Sequence, residues 1–483
     1  MGPLAGPFSI KTVMKISVLV FTSGLLLASL TCSSKILLPS VLADHMVLER
    51  NTSVAIWGWS DPGESISVTG SWAGGDTIKT RATRDGRWRV DLPTKDAGGP
   101  YTLSVKGAWE TVTLTDVMLG EVWLCSGQSN MEFNANWGLE NKTTEVAQAD
   151  FPGIRFFHIP KVGADHPQQD CRANWELCSP QTMPNQTAVG YYFAREIQKA
   201  LKVPVGIIEA AWGGTPAETW VRKDRILGDP NLVAHQYDDH SMGWPVKEGD
   251  LYNSMISPII PFGLKGALWY QGEANAYRPG AYAVLMDTLV SGWRQDFGQN
   301  LAFYFVQIAP YTYDSTKEKA FIVREQQAMA ARMIPNAGMV ATGDIAGDIH
   351  DIHPKNKKDV GIRLANYALA ETYHQPAGPY LTPVYKDIQI DGHKVKIHVD
   401  HAEGGLVSTT KDIPYFQVAG ADGKYVDAKA EIKKDGIEVS AAAVPAPVSV
   451  RYCFTNSAVP TIMGKDSNLP LAPFRTDNEK IED

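Results

Sequence analysis

The sequence predicts an α/β domain flanked by two all-β modules. The first stretch contains short alternating strands, the middle stretch alternates buried apolar runs with helix-period segments, and strands return after about Gly378. At 483 residues the chain is too long for one ordinary core, because domains of about 150 residues are usual. The predicted units are a leader at 1–34, an N-terminal β module at 35–115, an α/β domain at 116–377 and a C-terminal β module at 378–483.

Composition and charge narrow the class of protein. A hydrophobic content of 44% with 20% charged residues is typical of a folded soluble chain and argues against disorder. The formal net charge of -8 argues against a nucleic-acid binder, whose surface would carry a basic patch. The 13 Trp and 18 Tyr residues supply core packing and also ring faces of the kind that suit sugar rings.

The first residues resemble an export signal. Lys15 precedes a short apolar run at 16–21, and a second apolar segment leads towards small residues near Ala28. This arrangement is typical of a signal peptide and is too short for a confident membrane span. Cys32 stands in a setting similar to a bacterial lipoprotein cleavage site, so simple cleavage and a lipid anchor are both open. We therefore expect a secreted or periplasmic protein, or an outer-surface lipoprotein.

Both flanking modules are predicted from apolar residues that alternate with polar ones between Gly and Pro clusters. In the N-terminal module this pattern occupies 53–57, 65–68, 88–92 and 101–105. In the C-terminal module it occupies 388–390, 394–399, 415–418 and 448–452. No internal repeat or low-complexity linker separates the modules, so we expect them to pack together.

The middle domain alternates predicted strands with predicted helices. The buried strands are expected at 121–125, 203–208, 266–270 and 302–306. Apolar residues every four positions from Val189 to Leu201 predict one helix, and 282–297 and 321–333 also read as helical. This alternation is typical of a largely parallel sheet covered on both faces, with its chemistry at the loops beyond the strands' carboxyl ends.

Cysteine and histidine spacing gives no support to a metal site. There is no Cys-x-x-Cys pair and no His-Glu-x-x-His segment, so we predict no bound metal. In an oxidising compartment Cys171 and Cys178 would be able to close a short loop, and the alternative is two reduced thiols.

The first chemical signal is the segment 126–131, which directly follows the buried run ending at Cys125. A serine at this turn, Ser129, is held at the mouth of the sheet, and Gly127 permits the tight backbone there. The amides that follow can face a developing oxyanion. Met131 stands where a Gly-x-Ser-x-Gly elbow has its second glycine, so that motif is absent. Taken alone, such a segment more often marks a helix N-cap serine.

Two further segments follow predicted strands. In 212–220 the paired glycines leave a backbone amide unshielded, so Gly214 or its neighbour can donate to an oxyanion; a plain turn before a helix is the alternative. In 269–275, Gln271 offers an amide donor and Glu273 an orienting carboxylate, against the alternative of a loop with one solvated acid.

The fourth segment is 351–357, which offers a base. A serine hydroxyl needs a base, and a histidine needs a partner that fixes its tautomer. Residues two apart in an extended segment point to the same side, so Asp351 is placed to reach the ring of His353. A lone Asp-x-His usually marks a surface loop, but four such segments in chain order, three of them at strand ends, point to one catalytic site.

Together these segments resemble a known family. Gly-Gln-Ser-Asn-Met, the Trp-Gly-Gly segment, Trp-Tyr-Gln-Gly-Glu-x-Asn and Asp-Ile-His-Pro-x-Asn-Lys are similar to those of the sialate O-acetylesterases. These enzymes belong to the SGNH or GDSL-like hydrolases and are related to some acetylxylan esterases. The resemblance runs from about Leu37 to the carboxyl end. It implies a flavodoxin-like three-layer hydrolase domain, flanking modules of β-sandwich type, a catalytic serine at Ser129, a catalytic histidine at His353 and no cofactor.

One departure from the wider superfamily concerns the acid. Its members place the acid three residues before the histidine, and here that position is His350. Asp351 is the first choice, while related acetylxylan esterases suggest Glu273, and a backbone carbonyl is a third option. For the oxyanion and substrate the expected donors are the Ser129 amide, followed by Gly214, Gln271 and Asn275.

The implied reaction is hydrolysis of acetyl esters on a sugar through an acetyl-enzyme, with an acetylated glycan as partner and no nucleic acid. The main rival is an acetylxylan or other plant-polysaccharide esterase. A sialate enzyme is expected to use a cation for the sugar carboxylate, and the candidates are Arg278, Arg324 and Lys355. A non-catalytic glycan-binding protein is a distant alternative, because the serine and histidine segments are intact.

Overall fold

The computed structural model describes residues 35–234, 243–313 and 318–479. The predicted leader, with Cys32 and its expected cleavage or lipidation, lies outside the described residues. In the described part of the chain, every helix is too short or too polar to cross a membrane.

The N-terminal module consists of short strands, and each of the four predicted strand segments lies within one of them. The strands are β1 (Val47–Glu49), β2 (Ser53–Trp59), β3 (Ser65–Gly70), β4 (Ile78–Arg81), β5 (Arg87–Pro93) and β6 (Gly98–Lys106). β2 and β5 form an antiparallel pair of their own. β3 pairs with β4 and with β6, and β1 and β6 pair with the next strand of the chain. Alternate residues of β5 are buried and exposed, as a half-buried strand requires.

A largely parallel sheet forms the centre of the molecule. Its strands are β7 (Thr111–Gly127), β8 (Phe151–His158), β9 (Trp175–Cys178), β10 (Val205–Ala211), β11 (Gly266–Tyr270), β12 (Ala302–Val306) and β13 (Ala337–Val340). Their order across the sheet is β13-β12-β11-β7-β10-β8-β9. Without the edge hairpin β8–β9, the order is the 2-1-3-4-5 order of flavodoxin-like sheets. The predicted flavodoxin-like α/β fold is confirmed.

β7 joins the N-terminal module to the central sheet. Its first half pairs with β6 and its second half with β10 and β11. The boundary predicted between residues 115 and 116 therefore falls inside one strand. Asp116 stands at this point with a φ of 52°, a left-handed conformation that aspartate tolerates better than most residues.

Helices cover both faces of the sheet and make it a three-layer domain. The helices are α1 (Ser129–Glu132), α2 (Lys142–Ala147), α3 (Ala188–Leu201), α4 (Lys223–Leu227), α5 (Pro230–Ala234), α6 (Tyr282–Phe297), α7 (Ala320–Met333) and α8 (Lys357–Glu371). Alternate residues of β7 face opposite layers. Trp123 packs in the core beneath α3 and α8, and Val122 packs in the core beneath α6 and α7.

The C-terminal module is built from antiparallel sheets around one core. Its strands are β14 (Val384–Asp391), β15 (Lys394–Asp400), β16 (Leu406–Ser408), β17 (Phe416–Ala419), β18 (Val426–Asp427), β19 (Lys429–Lys433), β20 (Gly436–Ser440), β21 (Ser449–Tyr452), β22 (Ile462–Gly464) and β23 (Phe474–Arg475). β14-β15-β20-β19 and β18-β17-β21-β23 form two four-stranded sheets, and β16 pairs with β22. Arg475 forms an ion pair of 2.6 Å with Glu325 of α7 and so ties the module to the α/β domain.

The four cysteines of the described chain are free thiols, so Cys171 and Cys178 are not bridged and the reduced alternative holds. Cys178 ends β9 with its thiol turned into the core towards the Ala149 carbonyl oxygen, 3.7 Å away. Cys171 is only partly buried, in the loop before that strand.

Candidate active site

Three adjacent parallel strands end at the edge of the sheet where the predicted site residues stand. Ser129 follows β7, the glycine pair follows β10, and Glu273 follows β11. Backbone hydrogen bonds join the three turns: the Trp212 N–H donates to the Gly127 oxygen at 3.1 Å, and the Gln128 N–H donates to the Tyr270 oxygen at 3.0 Å. Ligands of open α/β sheets bind at this edge, at the point where the strand order reverses.

A cavity of about 550 Å³ lies over this edge. Ser129, Gly214, Glu273 and His353 all line it. Its walls are largely aromatic and include Trp137, Trp212, Trp244, Tyr277 and Tyr313. A cavity of this size that combines aromatic walls with a cluster of polar groups is typical of a small-molecule site, and it would hold a sugar ring.

Ser129 begins α1, which puts its side chain and amide at the mouth of the sheet. The turn depends on Gly127, whose φ is 134°, and a Cβ there would overlap the Tyr270 carbonyl oxygen. The first amides of a helix have no intrahelical acceptor. Among the described residues the Ser129 amide has no backbone acceptor, so it remains available to an oxyanion.

Glu132, at the end of α1, decides which glycine amide is available. One carboxylate oxygen accepts the Gly213 N–H at 2.7 Å, and the other pairs with Lys161 at 2.6 Å. The Gly213 amide is therefore engaged. The Gly214 amide has no backbone acceptor within the described ranges, and Gly214 adopts a φ of 78° against the Trp244 ring.

His353 is held by its own loop and by aromatic neighbours. Its backbone N–H donates to Asp351 Oδ1 at 2.9 Å, and its ring packs edge-on against Trp137. Its Nδ1 lies 3.9 Å from the same carboxylate oxygen, which is too far for a direct hydrogen bond. Nε2 is buried and has no hydrogen-bond partner among the described residues. Burial, together with the Lys357 charge, lowers the pKa of the His353 imidazole.

Asp351 is the carboxylate nearest to Nδ1 of His353 among the ion pairs of the described chain. Its second oxygen pairs with Lys355 at 2.8 Å. Partial burial opposes ionisation of Asp351, but the hydrogen bonds from Lys355 and from the His353 N–H, together with the Lys355 charge, outweigh it and hold the pKa of the carboxyl below its ordinary value. Asp351 therefore stays negatively charged beside the imidazole.

A buried polar network lies under the site. Lys357 Nζ donates to Asn130 Oδ1 at 2.5 Å, and Asn130 Nδ2 donates to Glu273 Oε1 at 2.6 Å and to the Ile352 oxygen at 3.1 Å. Burial raises the pKa of Glu273 and lowers the pKa of Lys357 to about 7. Asn130 thus ties the turn after β7 to the turn after β11 and to the His353 loop. Asn130 and Lys357 were not among the predicted site residues, although both stand inside the segments that carried the resemblance.

Gln271 and Asn275 lie away from the cavity, contrary to their expected role as donors there. Gln271 Nε2 donates to Asn275 Oδ1 at 2.7 Å and to the Thr215 oxygen at 3.2 Å, so both amide hydrogens are used. Asn275 Nδ2 in turn donates to buried Glu218 at 2.9 Å. Gln271 thus donates to Asn275 and Asn275 to Glu218, and neither amide lines the cavity beside Ser129.

The three cations expected to meet a sugar carboxylate do not line the cavity either. Arg324 is buried and donates to the backbone oxygens of Thr455 and Asn456 in the C-terminal module. Lys355 is engaged by Asp351. Among the described lining residues the cation is Lys161, which sequence reasoning missed because no motif marks it.

Comparison with known proteins gives the family. Residues 119–370, just over half of the chain, match the family described as carbohydrate esterase, sialic acid-specific acetylesterase. The chain belongs to this family. The esterase is 29% identical over 418 residues to human sialate O-acetylesterase, covering 79% of each protein. It is 30% identical over 415 residues to rat sialate O-acetylesterase, covering 73% of this chain and 76% of the rat protein.

A solved structure agrees with this assignment. The crystal structure of a novel carbohydrate acetylesterase from Xanthomonas citri superposes with a TM-score of 0.82 at 34% identity and covers 92% of this chain and 100% of that one. The predicted family resemblance is confirmed, and the protein is a carbohydrate acetylesterase of the sialate O-acetylesterase type. The alternative of a non-catalytic glycan-binding protein is therefore not retained.

Proposed function

We propose that this esterase removes acetyl groups from sialic acids, with Ser129 as nucleophile and His353 as general base. The observation that supports the mechanism is the state of the His353 ring. Its Nε2 is buried without a partner among the described residues, and it shares one cavity with the Ser129 side chain. A buried acceptor in that place is suited to receive the proton of a serine hydroxyl.

The proposed reaction is acyl transfer in two steps. Ser129 Oγ attacks the acetyl carbonyl carbon while His353 Nε2 takes its proton, and the amides of Ser129 and Gly214 donate to the oxyanion. The sugar oxygen leaves with the proton returned by His353, and water then hydrolyses the acetyl-enzyme. No hydrogen bond joins the two side chains within the described structure, and catalytic hydrogen bonds commonly tighten only when substrate binds.

We propose Asp351 as the acid partner of His353. Asp351 is ionised and lies 3.9 Å from Nδ1, where its charge favours the imidazolium that forms during attack. Glu273 is the weaker candidate. Its carboxylate is buried and accepts a hydrogen bond from Asn130. Its raised pKa disfavours the charged form that an orienting acid needs.

Among its described lining residues the cavity offers one lysine or arginine cation for the substrate. Lys161 stands at its wall with its side chain 42% exposed, so its ammonium can reach a sugar carboxylate while it still contacts Glu132. This cation, together with the named relatives, favours a sialate substrate. The rival is a neutral-sugar esterase acting on acetylxylan, for which the Lys161–Glu132 pair would be structural.

A side-by-side assay of acetate release distinguishes the two substrates. We expect kcat/KM on O-acetylated sialic acid to exceed kcat/KM on acetylated xylan oligosaccharides by about 100-fold, the cost of roughly one charge-assisted contact. Lys161→Met should raise KM on the sialate substrate and leave 4-nitrophenyl acetate hydrolysis unchanged. Faster turnover of acetylated xylan would assign the enzyme to the rival class.

The pH profile tests the role of His353. The base must be neutral, so activity should fall as pH drops through its pKa, which burial and Lys357 hold below the ordinary 6.5. We therefore expect the acid limb of kcat/KM on 4-nitrophenyl acetate to have its midpoint below pH 6.5. Lys355→Met removes a second nearby positive charge and should move that midpoint upward. A midpoint above the ordinary value in the unaltered enzyme would contradict the assignment.

A further inference from the structure

A second cavity, of about 760 Å³, lies between the N-terminal module and the loop before β11. We call it the module groove and define it by Trp57, Trp59, Arg87, Arg89, Tyr252 and Pro261. Pro261 precedes β11 and Glu273 follows it, so this strand separates the groove from the catalytic cavity. A five-residue strand spans roughly 16 Å, and the two cavities therefore open at opposite edges of the sheet.

One wall of the module groove is a ladder of aromatic and guanidinium side chains. In the antiparallel pair of β2 and β5, Trp57 stands opposite Arg89 and Trp59 stands opposite Arg87. Residues directly opposite each other project from the same face of such a pair. Trp88, between the two arginines, is buried on the other face. Two partly buried tryptophans therefore alternate with two exposed arginines on one surface.

The other wall belongs to the α/β domain, and among its described lining residues the charged group is the carboxylate of Asp296. Tyr252 and Pro261 line it. The nearby carboxylate of Asp296 is already engaged, because it accepts a hydrogen bond from Tyr252 at 2.8 Å and pairs with Arg222 at 3.0 Å. This wall therefore presents no unpaired acid to the arginines among the described residues.

The guanidinium groups of the ladder have only weak partners. Arg87 lies 3.2 Å from Asp85, and Arg89 lies 2.7 Å from Asp91. All four side chains are more than half exposed, and solvent-exposed pairs of this kind contribute little to stability. A carboxylate that enters the groove can replace these partners at small cost.

We propose that the module groove binds carboxylate-bearing sugars of a glycan chain, at a site separate from the one that hydrolyses esters. Indole faces pack against the apolar faces of sugar rings, and guanidinium groups hold carboxylates through paired hydrogen bonds. The cavity volume lies within the range of ligand pockets. A ligand that contacts both the indole faces and the guanidinium groups of the ladder is an acidic rather than a neutral sugar.

This second site would keep the enzyme on a polymeric glycan between turnovers. A chain held at the module groove raises the effective concentration of its other residues near the catalytic cavity. The site would leave small soluble esters unaffected, because they have no second sugar to engage.

The test compares binding of Ser129→Ala variants to three immobilised polymers: polysialic acid, polygalacturonate and dextran. The acidic polymers come from two sources, and dextran is neutral. Arg87→Gln combined with Arg89→Gln should weaken binding to an acidic polymer at least tenfold, and Trp59→Ala should do the same. Arg84→Gln is the matched control, because Arg84 is exposed in the turn just before β5 and does not line the groove.

Folding is checked in the corresponding variants that retain Ser129, whose kcat/KM on 4-nitrophenyl acetate should be unchanged. Binding to either acidic polymer that exceeds dextran binding tenfold, and that is lost in the arginine variant, supports the site. Equal binding of dextran would overturn it, as would acidic-polymer binding that the arginine variant leaves intact. These results do not depend on which acetylated sugar the enzyme hydrolyses, so a failure here is distinguishable from a failure of the proposed sialate activity.

Discussion

Replacing Ser129 with alanine should lower kcat/KM on 4-nitrophenyl acetate by about 10⁴-fold or more, the loss typical of a removed nucleophile. Without Oγ no acetyl-enzyme forms, and only the oxyanion donors and the binding surface remain to assist water. The Ser129 side chain is only partly buried, and α1 does not depend on its hydroxyl as a cap. The variant should therefore keep the fold and the thermal midpoint of the unaltered enzyme.

Ser126→Ala is the matched control for this experiment. Ser126 is fully buried three residues earlier in the same segment, and its hydroxyl has no hydrogen-bond partner among the described residues. The control removes the same atom without touching the cavity, and its kcat/KM should stay within about threefold of the unaltered enzyme, as for a small change of packing. Substantial esterase activity in Ser129→Ala would reject Ser129 as nucleophile.

Replacing Asp351 with asparagine should lower kcat by between about 10² and 10³, somewhat less than the loss seen when a directly bonded acid is neutralised. The expected reason is the loss of the charge that favours the imidazolium of His353. The effect is limited because Nδ1 and the carboxylate oxygen are 3.9 Å apart. Glu273→Gln is the comparison and should cost less, since Glu273 contacts Asn130 and not the ring.

The pH dependence of kcat/KM distinguishes Asp351 from Glu273 more clearly than the loss of kcat does. Asp351 raises the pKa of His353, so its neutralisation should move the acid limb of kcat/KM to lower pH. Glu273 is not among the charges that act most on His353, so Glu273→Gln should leave the limb nearly in place. A larger rate loss in Glu273→Gln, together with a shift of its acid limb, would make Glu273 the acid partner.

The sequence was sufficient to predict the fold class and the edge of the sheet that carries the site. The spacing of apolar residues that marks strands and helices is a local property of the sequence. Because the carboxyl ends of parallel strands meet at one edge of the sheet, Ser129, Gly214 and Glu273 were expected to lie close together. His353 followed from the need of a serine for a base. The helix that follows it, α8, was not predicted, although Val360, Leu364 and Ala368 recur every four residues.

The sequence did not reveal which polar side chains are already hydrogen-bonded to one another. Gln271 suits an oxyanion donor by its chemistry and by its place after β11, yet both its amide hydrogens are used by Asn275 and Thr215. Lys161 lies in a loop without a motif and lines the cavity, where it pairs with Glu132 at 2.6 Å. Neither outcome follows from residue type or spacing, because each depends on a partner far away in the chain.

The sequence by itself therefore determined the three-layer domain, its flanking modules and the convergence of the serine, glycine and Gln-Gly-Glu segments, because these follow from local periodicity and strand direction. Only the tertiary structure decided which polar atoms already have a hydrogen-bond partner and which have none among the described residues. Glu132 engages the amide of Gly213, while His353 Nε2 is left without a partner among the described residues. Hydrogen bonds between distant segments set that difference, and it is the difference on which catalysis depends.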